Sequence, residues 1–252
     1  VYVPIRKEGS SLIPRPGHDP DYDWEGRVPF KEMPYLFNPE SGYIATANNK
    51  TIDDTFPYYI SGLWADPSRA QQIVSRLDTL SMASVDDMKS VQLDYTSLFA
   101  KEITPYFLTV NIMEENEKIN KSMKILKDWN FIETPDSKGA LIFHSVLRQL
   151  VIELFGDELS LLGDKYLEAF TSMKYLHSRS LRKILADGSS SWVDDIRTKE
   201  KIETLEEVLK KSFINGIEDI ENIVGHNMKN WEWGRAHYLK HEHKMGSKKV
   251  LD

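Results

Sequence analysis

After Pro67, apolar residues recur at three- and four-residue steps, the spacing of amphipathic helices. Ile73 and Leu77 mark one such helix over residues 68–79. Ser84-Val85-Asp86-Asp87 reads as a capping box with Asp in place of Glu or Gln, opening a helix to about residue 104. That helix carries Met88, Val91, Tyr95, Leu98 and Phe99 on one face, and a third, over 114–127, carries Ile119, Met123 and Leu126. Ser137 is placed to cap a fourth, whose apolar positions come in pairs: Ile142/Phe143, Val146/Leu147, Leu150/Val151 and Leu154/Phe155. So broad a stripe predicts a helix deep in a bundle, stopped at Gly156. The longest periodic run, 198–224, places Ile202, Leu205, Leu209, Phe213, Ile217, Ile220 and Val224 on one face.

The first quarter has no such period. Nine of the eleven prolines fall within residues 1–67, a density that excludes long helices because proline lacks the N–H and clashes with the preceding turn. Short extended pieces and turns are expected there. Asn38-Pro39-Glu40-Ser41-Gly42 is a turn signal, Tyr43-Ile44-Ala45-Thr46 a short strand, and the opening VYVPIR reads as the middle of another. Such irregular backbone must satisfy its polar groups against something regular, which this chain does not obviously supply. The expected class is mainly α: a helical domain over 64–228, an extended segment over 1–63 and a second short segment over 229–252. Beginning in mid-strand without Met, the chain reads as a processed product or an excised piece.

Charge and composition narrow the chemistry. Lys and Arg number 32 against 39 Asp and Glu, giving −7 with neither sign blocked, so a nucleic-acid surface is not expected. Zero cysteines exclude disulfides, thiolate metal sites and a cysteine nucleophile. No uninterrupted apolar run is long enough for a membrane span; residues 140–155 are broken by His144, Arg148, Gln149 and Glu153.

Residue by residue, the candidate sites are few. Asn48-Asn49 is either a turn pair or, at a strand end, a carboxamide able to donate to a developing oxyanion. Arg69, 21 positions on, is either a surface side chain at a helix start or a guanidinium bracing a site. His237, His241 and His243 form H-x3-H-x-H, which would suit zinc on a helix with Glu232 or His243 as third ligand, but no glutamate stands where a metal-assisted base would. The acidic pairs Asp53-Asp54, Asp86-Asp87, Asp194-Asp195 and Glu206-Glu207 read as solvated loops and helix caps. There is no G-x-S-x-G and no glycine-rich phosphate loop.

Taken in order, the blocks WEGRVPFKEMPYLFNPESGYIATANN, LWADPSRAQQI, SVDDMKSVQLDYTSLFA, LKDWNF, DSKGALIF, SWVDD and NWEWGRAHYLKHEH resemble the β-chain of the penicillin acylase (penicillin amidase) family of N-terminal-nucleophile hydrolases. The family pattern W-x-G-x-x-P-F…P…N-P-x-x-G-x-I-x-x-x-N-N ends on Asn48-Asn49, and W-x-W-G-x-x-H ends on His237. The resemblance implies that an N-terminal Ser attacks an amide carbonyl with its own α-amine as base. An Asn side chain and a main-chain N–H then hold the oxyanion, and water resolves the acyl-enzyme. It places that Asn at Asn48, the active-site arginine at Arg69 and a structural histidine at His237. The fold implied is a helical insertion domain flanked by extended segments of an αββα core. The partners implied are the α-chain and the rest of the β-chain of one precursor, and an acylated small molecule. Penicillin-type, cephalosporin-type and acyl-homoserine-lactone substrates are equally compatible.

The departures shape the expectations. Val1 stands where no Ser does, and Ser10 and Ser11 are internal, so this chain by itself is expected to be inert. No cofactor is expected in it. Some members hold calcium with a carboxylate six residues before the Trp of the L-W block. Here that position is Tyr58, so structural calcium would lie elsewhere in the parent protein. A bulky residue that some members carry before the Asn is Ala47. A non-catalytic helical module for partner binding is the competing reading.

Overall fold

The computed structural model describes residues 2–7, 12–112 and 116–241. Among them are one antiparallel strand pair, β1 (Pro4–Arg6) with β2 (Trp24–Arg27), and nine helices. These are α1 (Ser68–Leu77), α2 (Val85–Gln92), α3 (Leu98–Thr109), α4 (Glu117–Asp128), α5 (Lys138–Leu162), α6 (Asp164–Ser172), α7 (Lys174–Asp187), α8 (Leu205–Val224) and α9 (Trp233–Ala236). The fold is mainly α, divided into two compact units: residues 1–94 with 172–183, and residues 95–171 with 184–252.

In the first unit, Pro4 faces Arg27, Ile5 faces Gly26 and Arg6 faces Trp24, with a bulge between Ile5 and Arg6. The Asn38–Gly42 turn forms: Gly42 N–H reaches Pro39 O at 3.0 Å, and Asn38 and Gly42 take positive φ. The expected strand over residues 43–46 does not. Tyr43 instead donates to Asp78 Oδ1 at 2.5 Å, beyond the end of α1, and the backbone there joins no ladder among the described residues. Large side chains of this extended segment remain uncovered: Phe30 is 89% exposed and Phe37 87%.

The second unit is built on α5 against α8. Phe143, Val146, Leu150 and Leu154 of α5 and Phe213 and Ile220 of α8 are fully buried. The two backbones approach closely at Gly216, where a Cβ would stand 2.8 Å from Val146 Cα, and Ser145 Oγ donates to Gly216 O at 2.8 Å. Phe99 and Phe107 of α3 and Trp129 beyond α4 meet the Phe143 ring with centroids 5.8–6.3 Å apart. By length and composition α5 could span a bilayer, but 67% of its most apolar window is buried inside the fold.

Four helix boundaries differ from the periodicity by about a turn or more, each for a local reason. The helix expected over 84–104 is two, because residues 95–97 pair with 131–133. Ser97 N–H donates to Phe131 O, Glu133 N–H donates to Tyr95 O, and the Ser97 hydroxyl recaps at Ala100 N. Pro105 does not end α3. Its missing hydrogen bond costs about 3 kcal/mol, which is offset by burying Ile103 and Phe107 on either side. Gly156 does not stop α5, since a glycine costs a helix only about 1 kcal/mol and its neighbour Phe155 packs on Phe170 and Trp192. Gly163, at φ 113°, does. Helix α8 starts at Leu205 rather than 198, at a capping box between Thr204 and Glu207. Helices α6 and α7 occupy a stretch where the periodicity marks none.

Candidate active site

Asn48 ends the irregular segment that follows the Asn38–Gly42 turn. Its φ of 62° lies in the left-handed region, which Asn tolerates because its short side chain can bond locally. Here the neighbouring side chain makes that local bond: Asn49 Oδ1 accepts from Ala47 N–H at 3.0 Å. The Asn48 carbonyl accepts from Ala65 N–H at 2.8 Å, tying this turn to the loop before α1.

Helix α1 delivers Arg69 to the same place. Pro67 stands at the N-cap, where its missing N–H is no loss, and Asp66 Oδ1 accepts from Ser68 N–H at 2.9 Å in the cap's stead. One turn-start later, Arg69 Nη2 donates to both Ala47 O and Asn48 Oδ1, each at 2.9 Å. A guanidinium only donates, so it fixes which way the Asn48 amide points: the oxygen faces Arg69 and the NH2 faces away. Among the described residues no acceptor takes the Asn48 Nδ2 hydrogens, and the side chain is exposed. The arrangement can offer a fixed, uncharged N–H donor to an anion.

Behind this pair stands an ion pair that the sequence did not reveal. Arg182, just past the middle of α7, bonds Asp66 through Nη1, reaches Asp66 Oδ1 through Nη2 at 3.3 Å, and donates to Ser68 Oγ at 3.1 Å. Burial alone would push the Asp66 carboxyl upward; the hydrogen bonds from Arg182 and Ser68 outweigh it and hold the carboxyl below its ordinary value. Nothing in the sequence pairs two residues 116 positions apart.

Among the described residues the histidines do not gather into a metal cluster. Helix α9 ends before His237, so His237 and His241 do not share a helical face. The Trp233 indole stacks with two imidazoles, His144 at 4.4 Å and His237 at 4.6 Å between ring centroids, and His144 meets Glu133 at 3.0 Å. His243, Ser10 and Ser11 lie outside the described residues. Among the described residues, no three His, Cys, Asp or Glu side chains gather as a metal ion needs. Tyr58 donates its hydroxyl to Glu32 Oε2 at 2.5 Å.

The chain is 27% identical over 247 residues to the acyl-homoserine lactone acylase QuiP of Pseudomonas aeruginosa, covering 93% of this chain and 29% of that protein. The penicillin acylase 2 proenzyme of Pseudomonas sp. (strain SE83) is 34% identical over 95 residues, 38% of this chain and 12% of that one. The chain thus spans under a third of the length of these curated relatives. Among solved structures, the thermostable penicillin G acylase from Alcaligenes faecalis superposes with a TM-score of 0.63 at 16% identity, over 91% of this chain and 45% of that one, which shows a shared fold. With residues 2–252 matching the family described as penicillin amidase, the chain belongs to the penicillin amidase family.

Proposed function

We propose that this chain supplies the oxyanion donor, Asn48, and its brace, Arg69, to an amidohydrolase that cleaves the amide of an acylated small molecule. The observation that carries the proposal is the pair of hydrogen bonds from Arg69 Nη2 to Ala47 O and Asn48 Oδ1. They commit the amide oxygen and leave Nδ2 to a substrate. A cationic donor on Oδ1 also draws electron density from the amide nitrogen, strengthening its N–H as a donor.

In this reading the nucleophile is the N-terminal serine of the mature β-chain. Its Oγ attacks the substrate carbonyl while its α-amine takes the proton. The carbonyl oxygen becomes an oxyanion held by Asn48 Nδ2–H and a main-chain N–H, and the amine leaves as it takes up the proton. Water then cleaves the ester by the reverse roles. The serine, the main-chain donor and most of the acyl pocket come from precursor regions outside this sequence. The chain alone therefore hydrolyses no acyl amide above a heat-treated control. N-acyl homoserine lactones are the first substrates to test, because the relative matched along nearly the whole chain is an acylase of that class by name.

The test is turnover by mature enzyme from the full-length precursor. Asn48→Ala should lower kcat roughly 10²–10³-fold. Asn48→Asp keeps the shape and the left-handed tolerance but loses both N–H groups, and should do the same. Unchanged turnover in both would remove Asn48 from the mechanism.

A further inference from the structure

We infer that Arg182 is a positioning residue for the Asn48–Arg69 pair, acting through Asp66 and Ser68, with Arg179 as its helper one turn earlier on α7; the inference rests on the reading of Asn48 as oxyanion donor. The contacts converge on one short stretch of chain. Arg182 holds Asp66 and Ser68, while Arg179 donates to Trp64 O at 3.1 Å and to Gly62 O at 3.5 Å. This stretch governs Asn48 from both ends. Ala65 N–H fixes the Asn48 carbonyl at 2.8 Å, and α1, starting at Ser68, presents the guanidinium that fixes Oδ1.

Packing alone does not hold this loop. Leu63 is 52% exposed and Trp64 only half-buried, and the side chains of this stretch that are buried are the small ones of Ala65, Ser68 and Ala70. Small side chains resist displacement weakly, so directional contacts must set the position. The Asp66 and Arg182 side chains are only 12% and 23% exposed, which spares their pairing most solvent screening. A donor that must meet an oxyanion at hydrogen-bond distance loses rate on displacements below an ångström, so a shift of this loop is read directly in catalysis.

The test uses the mature enzyme from its full-length precursor and a panel of 4-nitroanilides of aliphatic and aromatic acids. Arg182→Met keeps the stem and loses charge and donors. Its kcat should fall about tenfold or more with KM little changed. Arg182→Lys should recover part of the loss, because a lysine keeps the charge beside Asp66 but lacks the planar fork whose two nitrogens meet both Asp66 oxygens and Ser68. The decisive arm is a cycle with Asn48→Asp. If Arg182 acts through Asn48, adding Arg182→Met to Asn48→Asp costs little more; losses that multiply would make Arg182 a general support of the fold and overturn the inference. Full kcat in Arg182→Met would overturn it as well. Should that variant fail to mature, Arg179→Met in the same cycle removes only the two carbonyl contacts, and full kcat or multiplying losses there would be equally fatal. A full-rate Asn48→Asp enzyme would instead overturn the oxyanion reading, and is seen before any double variant is made.

Discussion

Two glycines inside long helices should answer the same substitution with opposite signs. Gly156 in α5 and Gly216 in α8 both lack a positive φ, so alanine suits either backbone and each change gains up to about 1 kcal/mol of helix propensity. Their surroundings decide the rest. A Cβ at Gly156 would meet Ile152 Cγ2 at 3.5 Å and Leu167 Cδ2 at 3.9 Å, ordinary contacts, so Gly156→Ala should stabilise by about 0.5–1 kcal/mol. At Gly216 the methyl would lie 2.8 Å from Val146 Cα and 2.9 Å from its N and Cγ2. Carbon atoms pack best at about 3.5–4.0 Å, and the obstacle is backbone that no rotamer change can move. The helices would have to part, loosening the interface that buries Phe143, Leu150, Phe213 and Ile220. Overpacking of this kind costs about 1–3 kcal/mol, occasionally more, and exceeds the propensity gain. Net destabilisation of about 1–2 kcal/mol is expected, or roughly 2–8 °C in midpoint for a chain of this size. Urea denaturation of the 252-residue chain, followed by far-ultraviolet circular dichroism, compares the two variants with the parent at constant m-value. A Gly216→Ala midpoint at or above the parent's would refute the close crossing of α5 and α8.

Further outcomes follow from single groups. Burial, and then the neighbouring Asp157 carboxyl, push Glu158 up to about 7, so the fold holds a proton that the unfolded chain releases near 4.5. That stability is complete below about pH 4.5 and is lost as pH rises through 7; Glu158→Gln should flatten the fall in urea midpoint between pH 5 and 8, and an unchanged profile would contradict the assignment. Asp195 acts in another window: hydrogen bonds from Arg197 hold it down to about 2, so its contribution is present above its ordinary value of 3.8 and is lost only as acid carries the pH toward 2. Asp195→Asn should therefore lessen the acid sensitivity below pH 4 and leave the profile above pH 5 parallel to the parent's. Thr204→Ala removes one half of the capping box of α8 and should cost about 1 kcal/mol in the same denaturation assay, with Thr204→Ser restoring most of it.

The helical class, the deep placement of α5 and the proline-rich extended quarter were legible because each follows from side-chain spacing or from the chemistry of one residue. Ser84, Ser137 and Thr204 show how local that information is. Each cap is written within four residues, and the Thr204–Glu207 box marks the true start of α8 where the apolar period ran on to 198. Asn48 and Arg69 could be singled out only through motif order, since alone each reads equally as turn and surface. What the sequence by itself determined was therefore a set of helices, their buried faces and two candidate side chains. Tertiary structure alone decided where helices yield, as at residues 95–97 pairing with 131–133, because a backbone hydrogen bond to a distant segment leaves no mark on local periodicity. It also decided which way the Asn48 amide faces and what steadies it. Those depend on Arg69, Asp66 and Arg182 meeting across 21 and 116 positions of chain, and the attraction within an ion pair strengthens only where water is excluded, which happens once the chain has folded.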